Sequence, residues 1–163
     1  MYKKGETIIY PVYGISKINR IYKEMVDGVE KEYYEITFEN GLFISVPTDQ
    51  AEKLGLRYPL SKAELKKAAK NLSKKIRIKE EALSTLADVS KEKLATGKTE
   101  DAVELIRMLT SAEKMKQEKN HNLSLTEQTN LTSAVNFVRS EVLSVFGQKG
   151  IVSFDLDSFP SED

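Results

Sequence analysis

Up to about residue 60 the apolar positions of the chain alternate with polar ones, and after Leu60 they recur at steps of three and four. The first half therefore reads as strands and the second as helices. In "KEYYEITFE", Tyr34, Ile36 and Phe38 share one face, while Tyr33, Glu35, Thr37 and Glu39 share the other. Leu42, Ile44 and Val46 repeat the alternation. Asp27-Gly28 and Asn40-Gly41 lie between apolar runs, a strong hairpin signal. Strands are predicted near 6–11, 15–26, 31–39 and 42–47, with "LRYPL" as a short fifth. In "YPVYGISKI", Pro11 stops the first strand and Gly14 restarts the chain, so the stretch reads as a sharp corner. Short antiparallel strands at this density make a small, strongly bent barrel.

Ser61 to Glu64, "SKAE", has the form of a capping box, and Leu65, Ala68, Ala69 and Leu72 follow at helical spacing. A second helix is predicted from about Ile78 to Ala95, stopped by Gly97, and a third from Thr99 with Glu100 and Asp101 favourable to its N-terminal dipole. Ala102, Leu105, Ile106 and Leu109 form the stripe of that third helix. "SLTE", Ser124 to Glu127, opens a fourth, carried on by Leu131, Ala134, Val135, Val138, Val142 and Val145. Striped helices with short links pack as a bundle. The fold class is α+β in two domains, a small antiparallel barrel followed by a helical bundle. The predicted division is 1–60 for the barrel, 61–77 for a basic linker helix, 78–147 for the helical domain and 148–163 for an acidic mobile tail.

Charge changes this picture in one place. The 163 residues carry no net charge, yet 62–79, "KAELKKAAKNLSKKIRIK", hold eight Lys or Arg against the single acid Glu64. This segregation suits an anionic partner for one segment, against the plainer reading of a solvated lysine face. The chemistry of catalysis is sparse. There is no cysteine, and the only histidine, His121, lies in the polar run "EKNHNLS". "TGKT" at Thr96 to Thr99 resembles the end of a phosphate-binding loop, but the required earlier glycine is Glu92. A binding module rather than an enzyme is expected, with no metal, no cofactor and no small-molecule substrate. No apolar run reaches the length of a membrane span and no signal peptide is evident, so a cytoplasmic protein without a membrane partner is expected.

Two stretches carry a resemblance. "KGETIIYPVYGISKI", followed by "GVEKEYYEITFENG" and "VP", resembles the N-terminal domain of the CarD/CdnL bacterial transcription regulators, a domain shared with the transcription-repair coupling factor. "EKLATGKTEDAVELIRML" and "LSLTE" resemble the helical half of CarD itself. The resemblance implies a Tudor-like, SH3-like small barrel that binds the RNA polymerase β subunit. It also implies a helical domain that touches promoter DNA, at the nucleoid, and modulates the stability of the open complex. The implied polymerase-facing residues are Glu24, Met25, Val26, Tyr33 and Ser45.

The departures are specific. Tyr13 stands where relatives often carry histidine, and Glu24 and Ser45 stand where relatives can carry arginine. Relatives can place a tryptophan near the start of the second helix. This chain has none, and the aligned position is Leu83, followed by Thr85 and Leu86 at basic sites. Leucine can wedge between base steps, but Leu83 flanks the core stripe of Ile78, Ala82, Leu86 and Val89, so packing competes with that role. On the fourth helix Gln128, Thr129 and Ser133 occupy the first turns, and Arg139 is the lone basic residue. The DNA-binding candidates are therefore Lys74, Lys75, Arg77 and Lys79, with Leu83 beside them. Two rival readings remain: a protein-only polymerase adaptor, and a general non-specific DNA-binding protein.

Overall fold

A computed structural model describes residues 1–160. Four strands, β1 (Thr7–Tyr10), β2 (Gly14–Val26), β3 (Val29–Phe38) and β4 (Phe43–Pro47), form one antiparallel sheet in chain order, curled into a half-barrel. Asp27 and Gly28 both have positive φ, 52° and 78°, which gives the two-residue hairpin the twist that its strands need. Register shifts between Ile18 and Arg20 mark a bulge in β2, where the strand bends. The alternation is realised at Ile8, Ile18, Tyr34, Ile36, Phe38 and Val46, which fill the inner face with Ala51 and Leu56 as a lid, but Leu42 precedes β4 in the turn and is exposed. "LRYPL" supplies a single bridge, Arg57 to Ile9, rather than a fifth strand. That bridge covers the outer edge of β1.

The helical region contains α1 (Lys62–Ala69), α2 (Leu86–Ala95), α3 (Thr99–Gln117), α4 (Leu125–Phe146) and α5 (Gln148–Ser153). Capping boxes at Ser61–Glu64 and Ser124–Glu127 start α1 and α4 as their spacing predicts. Three expectations are corrected. The basic segment is not one helix over 61–77: α1 ends at Ala69, a 3-10 turn runs to Ser73, and 74–79 is neither helix nor strand, with extended backbone at Lys74 and Lys79. The second helix begins as a 3-10 turn over Glu80–Thr85 and is α-helical only from Leu86. The acidic segment from 148 is not a mobile tail as far as it is described. It forms α5 and a 3-10 turn at Leu156–Ser158, and Ile151 and Leu156 are buried in the bundle core. Apolar residues at Ile151, Phe154, Leu156 and Phe159 hold it there despite its acids. Residues 161–163 of that expected tail lie outside the described residues.

The half-barrel and the bundle share packing. Ile8 points into the barrel, whereas its neighbour Ile9 is fully buried in the helical core. The β1–β2 connection, expected as a corner, is a hairpin turn with Val12 and Gly14 at positive φ, and it lies against the helices. A Cβ on Gly97 would fall 2.8 Å from Pro11 Cγ, and one on Gly14 would fall 2.4 Å from Ser140 Oγ. Both glycines are thus needed for close approach as well as for their backbone angles.

Beneath this turn lies a polar lock. Arg57 donates from both terminal nitrogens to the carboxylate of Glu141, at 2.9 and 3.1 Å, and from Nε to the Gly97 carbonyl. Thr99 Oγ1 and the Leu60 amide also donate to Glu141. Glu141 is fully buried. Burial pushes its pKa up, but the hydrogen bonds from Arg57, Thr99 and the Leu60 amide, with the Arg57 charge, bring it below the usual carboxylate value.

Candidate functional site

Equal counting outward from the Asp27-Gly28 turn pairs Tyr22 with Tyr33, Glu24 with Lys31 and Val26 with Val29. Across β3, Tyr33 faces Pro47 and Glu35 faces Ser45. Residues that pair directly lie on the same side of a sheet. Of the expected polymerase-facing residues, Glu24, Val26, Tyr33 and Ser45 therefore share the outer face of the half-barrel. Met25 pairs with Glu30 on the opposite side, where it is 64% exposed.

The outer face is ordered by its own side chains. Tyr22 and Tyr33 stack with ring centroids 5.5 Å apart, and Tyr22 donates its hydroxyl to Ser45 Oγ at 2.8 Å. Arg20 lies over the Tyr22 ring, 4.8 Å from its centroid, and pairs with Glu35 at 2.8 Å. Hydrogen bonds from Asn19 and Arg20 hold the Glu35 carboxyl below its usual pKa. The result is a row of guanidinium, stacked phenols and a short apolar end at Val26 and Val29. An aromatic surface with few free rotamers loses little entropy when covered, and Tyr and Arg are the residues on which protein interfaces tend to rest. Arg20, Tyr22 and Glu35 were not among the candidates. Their signal was legible, since the two-residue turn sets the register and the register sets the face.

The basic candidates lie elsewhere. Residues 74–79 form a strap along α3. Arg107 donates to the carbonyls of Lys74 and Lys75, and Ser111 donates to that of Ile76. These bonds satisfy a backbone that has no ladder of its own. Ile78 packs against the bundle core, while Lys74, Lys75, Arg77 and Lys79 are exposed. None of the four forms an ion pair among the described residues. "KKIRIK" already carried the period-two signal of an extended segment, with isoleucines at 76 and 78.

Leu83 is half-buried and packs against the helical core, so it is not presented as a free wedge. Glu80, directly after the strap, is paired with Lys119. Arg139 is engaged with Asp157 and with the Leu156 carbonyl, fastening the C-terminal turn instead of facing a ligand. His121 is exposed in the α3–α4 loop. Among the described residues no cluster of His, Cys, Asp or Glu could hold a metal ion, and no helix is long and apolar enough to cross a membrane.

The architecture is a curled four-stranded antiparallel half-barrel with an ordered outer face, backed by helices. Residues 2–59 match the family model described as CarD-like/TRCF RID domain, and this part of the chain is a domain of that family. It is a protein-interaction domain for RNA polymerase, which gives the chain a transcription-related role.

Proposed function

We propose that this chain is a non-catalytic, CarD-like transcription regulator whose half-barrel docks on the RNA polymerase β subunit and whose helical region contacts promoter DNA. The observation that carries the first half is the outer face of β2, β3 and β4 within the matched domain, where Tyr22, Tyr33 and Ser45 form one bonded unit. Relatives can carry arginine at the positions of Glu24 and Ser45. On this face the positive charge comes instead from Arg20 and Lys31, the second opposite Glu24. The contact keeps its place and changes its chemistry.

The second half rests on the strap. Four exposed cations that form no ion pair among the described residues suit phosphates, and they read no bases. Neutralising about four phosphates gives a log-log salt slope near −3.6 on duplex DNA. Held upstream of the transcription bubble by the docked barrel, such a contact would alter open-complex stability without any catalytic step. One observation favours the protein-adaptor alternative: Leu83, at the position of the missing tryptophan, is spent on core packing.

The test uses the full chain. Tyr33→Ser with Val26→Glu should cut copurification with polymerase at least tenfold, with Tm nearly unchanged; undiminished recovery would remove the docking face. Alanine at Lys74, Lys75, Arg77 and Lys79 should abolish retention on duplex DNA at low salt. Footprinting of a promoter complex with and without the protein then separates the readings, because an adaptor leaves the DNA pattern unaltered.

A further inference from the structure

A second site lies on the side of the bundle formed by α1, the end of α4 and α5. A half-open cavity of about 530 Å³ is walled there by Phe146 and Phe154, whose rings meet edge to face at 5.7 Å. Its shape is set by fixed parts. A Cβ on Gly150 would lie 2.6 Å from Phe146 Cβ and 2.8 Å from Val142 Cγ1, so glycine alone lets α5 lie this close to α4. Ile151 and Leu156, on either side of Phe154, are buried in the core and hold the far wall in place.

The rim has the opposite character. Lys66 and Lys70 stand one turn apart on α1 and its 3-10 extension, and Lys149 stands on α5. All three are exposed, and none forms an ion pair among the described residues. Asp155 is the one acid on the rim, which leaves it with an excess of positive charge. Water over two phenyl rings is poorly bonded, and the three ammonium groups around it outnumber the single carboxylate of Asp155. An apolar body would displace the first and an anionic group would satisfy the second. The volume lies within the range of small-molecule pockets.

We propose that this cavity is a binding site for an amphipathic anion, a flat aromatic body bearing a phosphate or carboxylate. The ring system seats against Phe146 and Phe154, and the anionic group lies among Lys66, Lys70 and Lys149. The site is separate from the outer face of the half-barrel and from the 74–79 strap, and it does not depend on either role.

The test is titration of the full-length chain with 2-naphthyl phosphate, followed by amide shifts in ¹⁵N–¹H spectra. Inorganic phosphate and 2-naphthol serve as the charge-only and ring-only probes. Saturable shifts centred on Gly150, Ser153 and Phe154 are expected, with affinity at least about tenfold above that of either half-probe, since each half lacks one of the two interactions. Glutamine at Lys66, Lys70 and Lys149 should weaken the naphthyl phosphate about tenfold while leaving 2-naphthol unchanged. Ser153→Trp, which fills the cavity from an exposed position, should abolish binding of both. Absence of saturation, shifts centred elsewhere, or naphthyl phosphate binding no tighter than inorganic phosphate would each overturn the proposal. So would unchanged affinity in the lysine variant.

Discussion

Glu141 is the residue on which the relation of half-barrel to helices turns. It is fully buried and takes four hydrogen bonds, from two nitrogens of Arg57, from Thr99 and from the Leu60 amide. Glu141→Gln should cost about 2–3 kcal/mol by denaturant unfolding at pH 7, below the 3–5 of a wholly buried pair because Arg57 is 23% exposed. The sign of the acid dependence follows from the lowered pKa. The native carboxylate binds its proton less readily than the unfolded one, so its stabilising effect is present above the ordinary value of 4.5. It is lost as pH falls from there through the lower, native value. The gap between wild type and Glu141→Gln should therefore narrow below pH 4.5; a constant gap down to pH 3 would show that the carboxylate is not held charged. Gly97 offers a steric counterpart. With φ at 66° and Pro11 at 2.8 Å from a would-be Cβ, Gly97→Ala should destabilise by roughly 1–3 kcal/mol, read from thermal melts. The glycine that made "TGKT" look like a phosphate loop serves instead to admit Pro11, and its carbonyl binds Arg57.

Among the elements, hairpins and capped helices follow local rules; the strap follows one only in its alternating isoleucines, while its docking on α3 does not. Two-residue turns and capping boxes are short-range chemistry, so Asp27-Gly28, Ser61–Glu64 and Ser124–Glu127 could be placed by inspection. The strap at 74–79 docks because α3 offers it partners, and those partners lie more than thirty residues away. Lysine-rich composition pulled the prediction towards helix, where lysine is a good former; the tertiary partners decided otherwise. Arg107→Ala should free the strap. Amide exchange at Ile76 to Ile78 should rise at least about tenfold, since two hydrogen bonds from Arg107 to the strap are lost, with little change in Tm. A global loss of protection would instead make Arg107 part of the core that folds the bundle. The C-terminal segment teaches a related lesson. Its acids suggested a solvated tail, but Ile151, Phe154, Leu156 and Phe159 follow at steps of three, two and three and pack on the bundle core.

At the scale of the whole molecule, two domains read from the sequence are one packed body at their junction. β1 is buried on both faces, Ile8 in the half-barrel and Ile9 among the helices. A strand covered on both sides loses the alternation of a half-exposed one, and the adjacent isoleucines of "TIIY" carried that information. The full chain should unfold in a single calorimetric transition. Ile9→Ala should cost about 2–5 kcal/mol, since it opens a cavity in the helical core, and it should separate the transition into two if the junction couples the halves. A single sharp transition in the variant would show that the lock at Glu141 suffices alone. The consequence for function is geometric. Under the proposed function, the packed junction would set where the basic strap points once the half-barrel is docked, and so which phosphates it could reach.

The sequence by itself determined the strand and helix order, the hairpin turns, the inner face of the half-barrel and the caps of α1 and α4. Each of these depends on residues close together in the chain, where periodicity and turn chemistry act directly. Glu24, Val26, Tyr33 and Ser45 were named through the family resemblance and lie on three strands; that they share a face with the stacked Tyr22 and the Arg20–Glu35 pair emerges only once the register is followed across the sheet. Tertiary structure alone decided the pairing of Arg57 with Glu141, the seating of Pro11 on Gly97, the docking of the strap on α3 and the packing of the C-terminal segment. These depend on groups that meet only when distant parts of the chain are packed, and a buried polar group takes whichever partner the fold brings within reach.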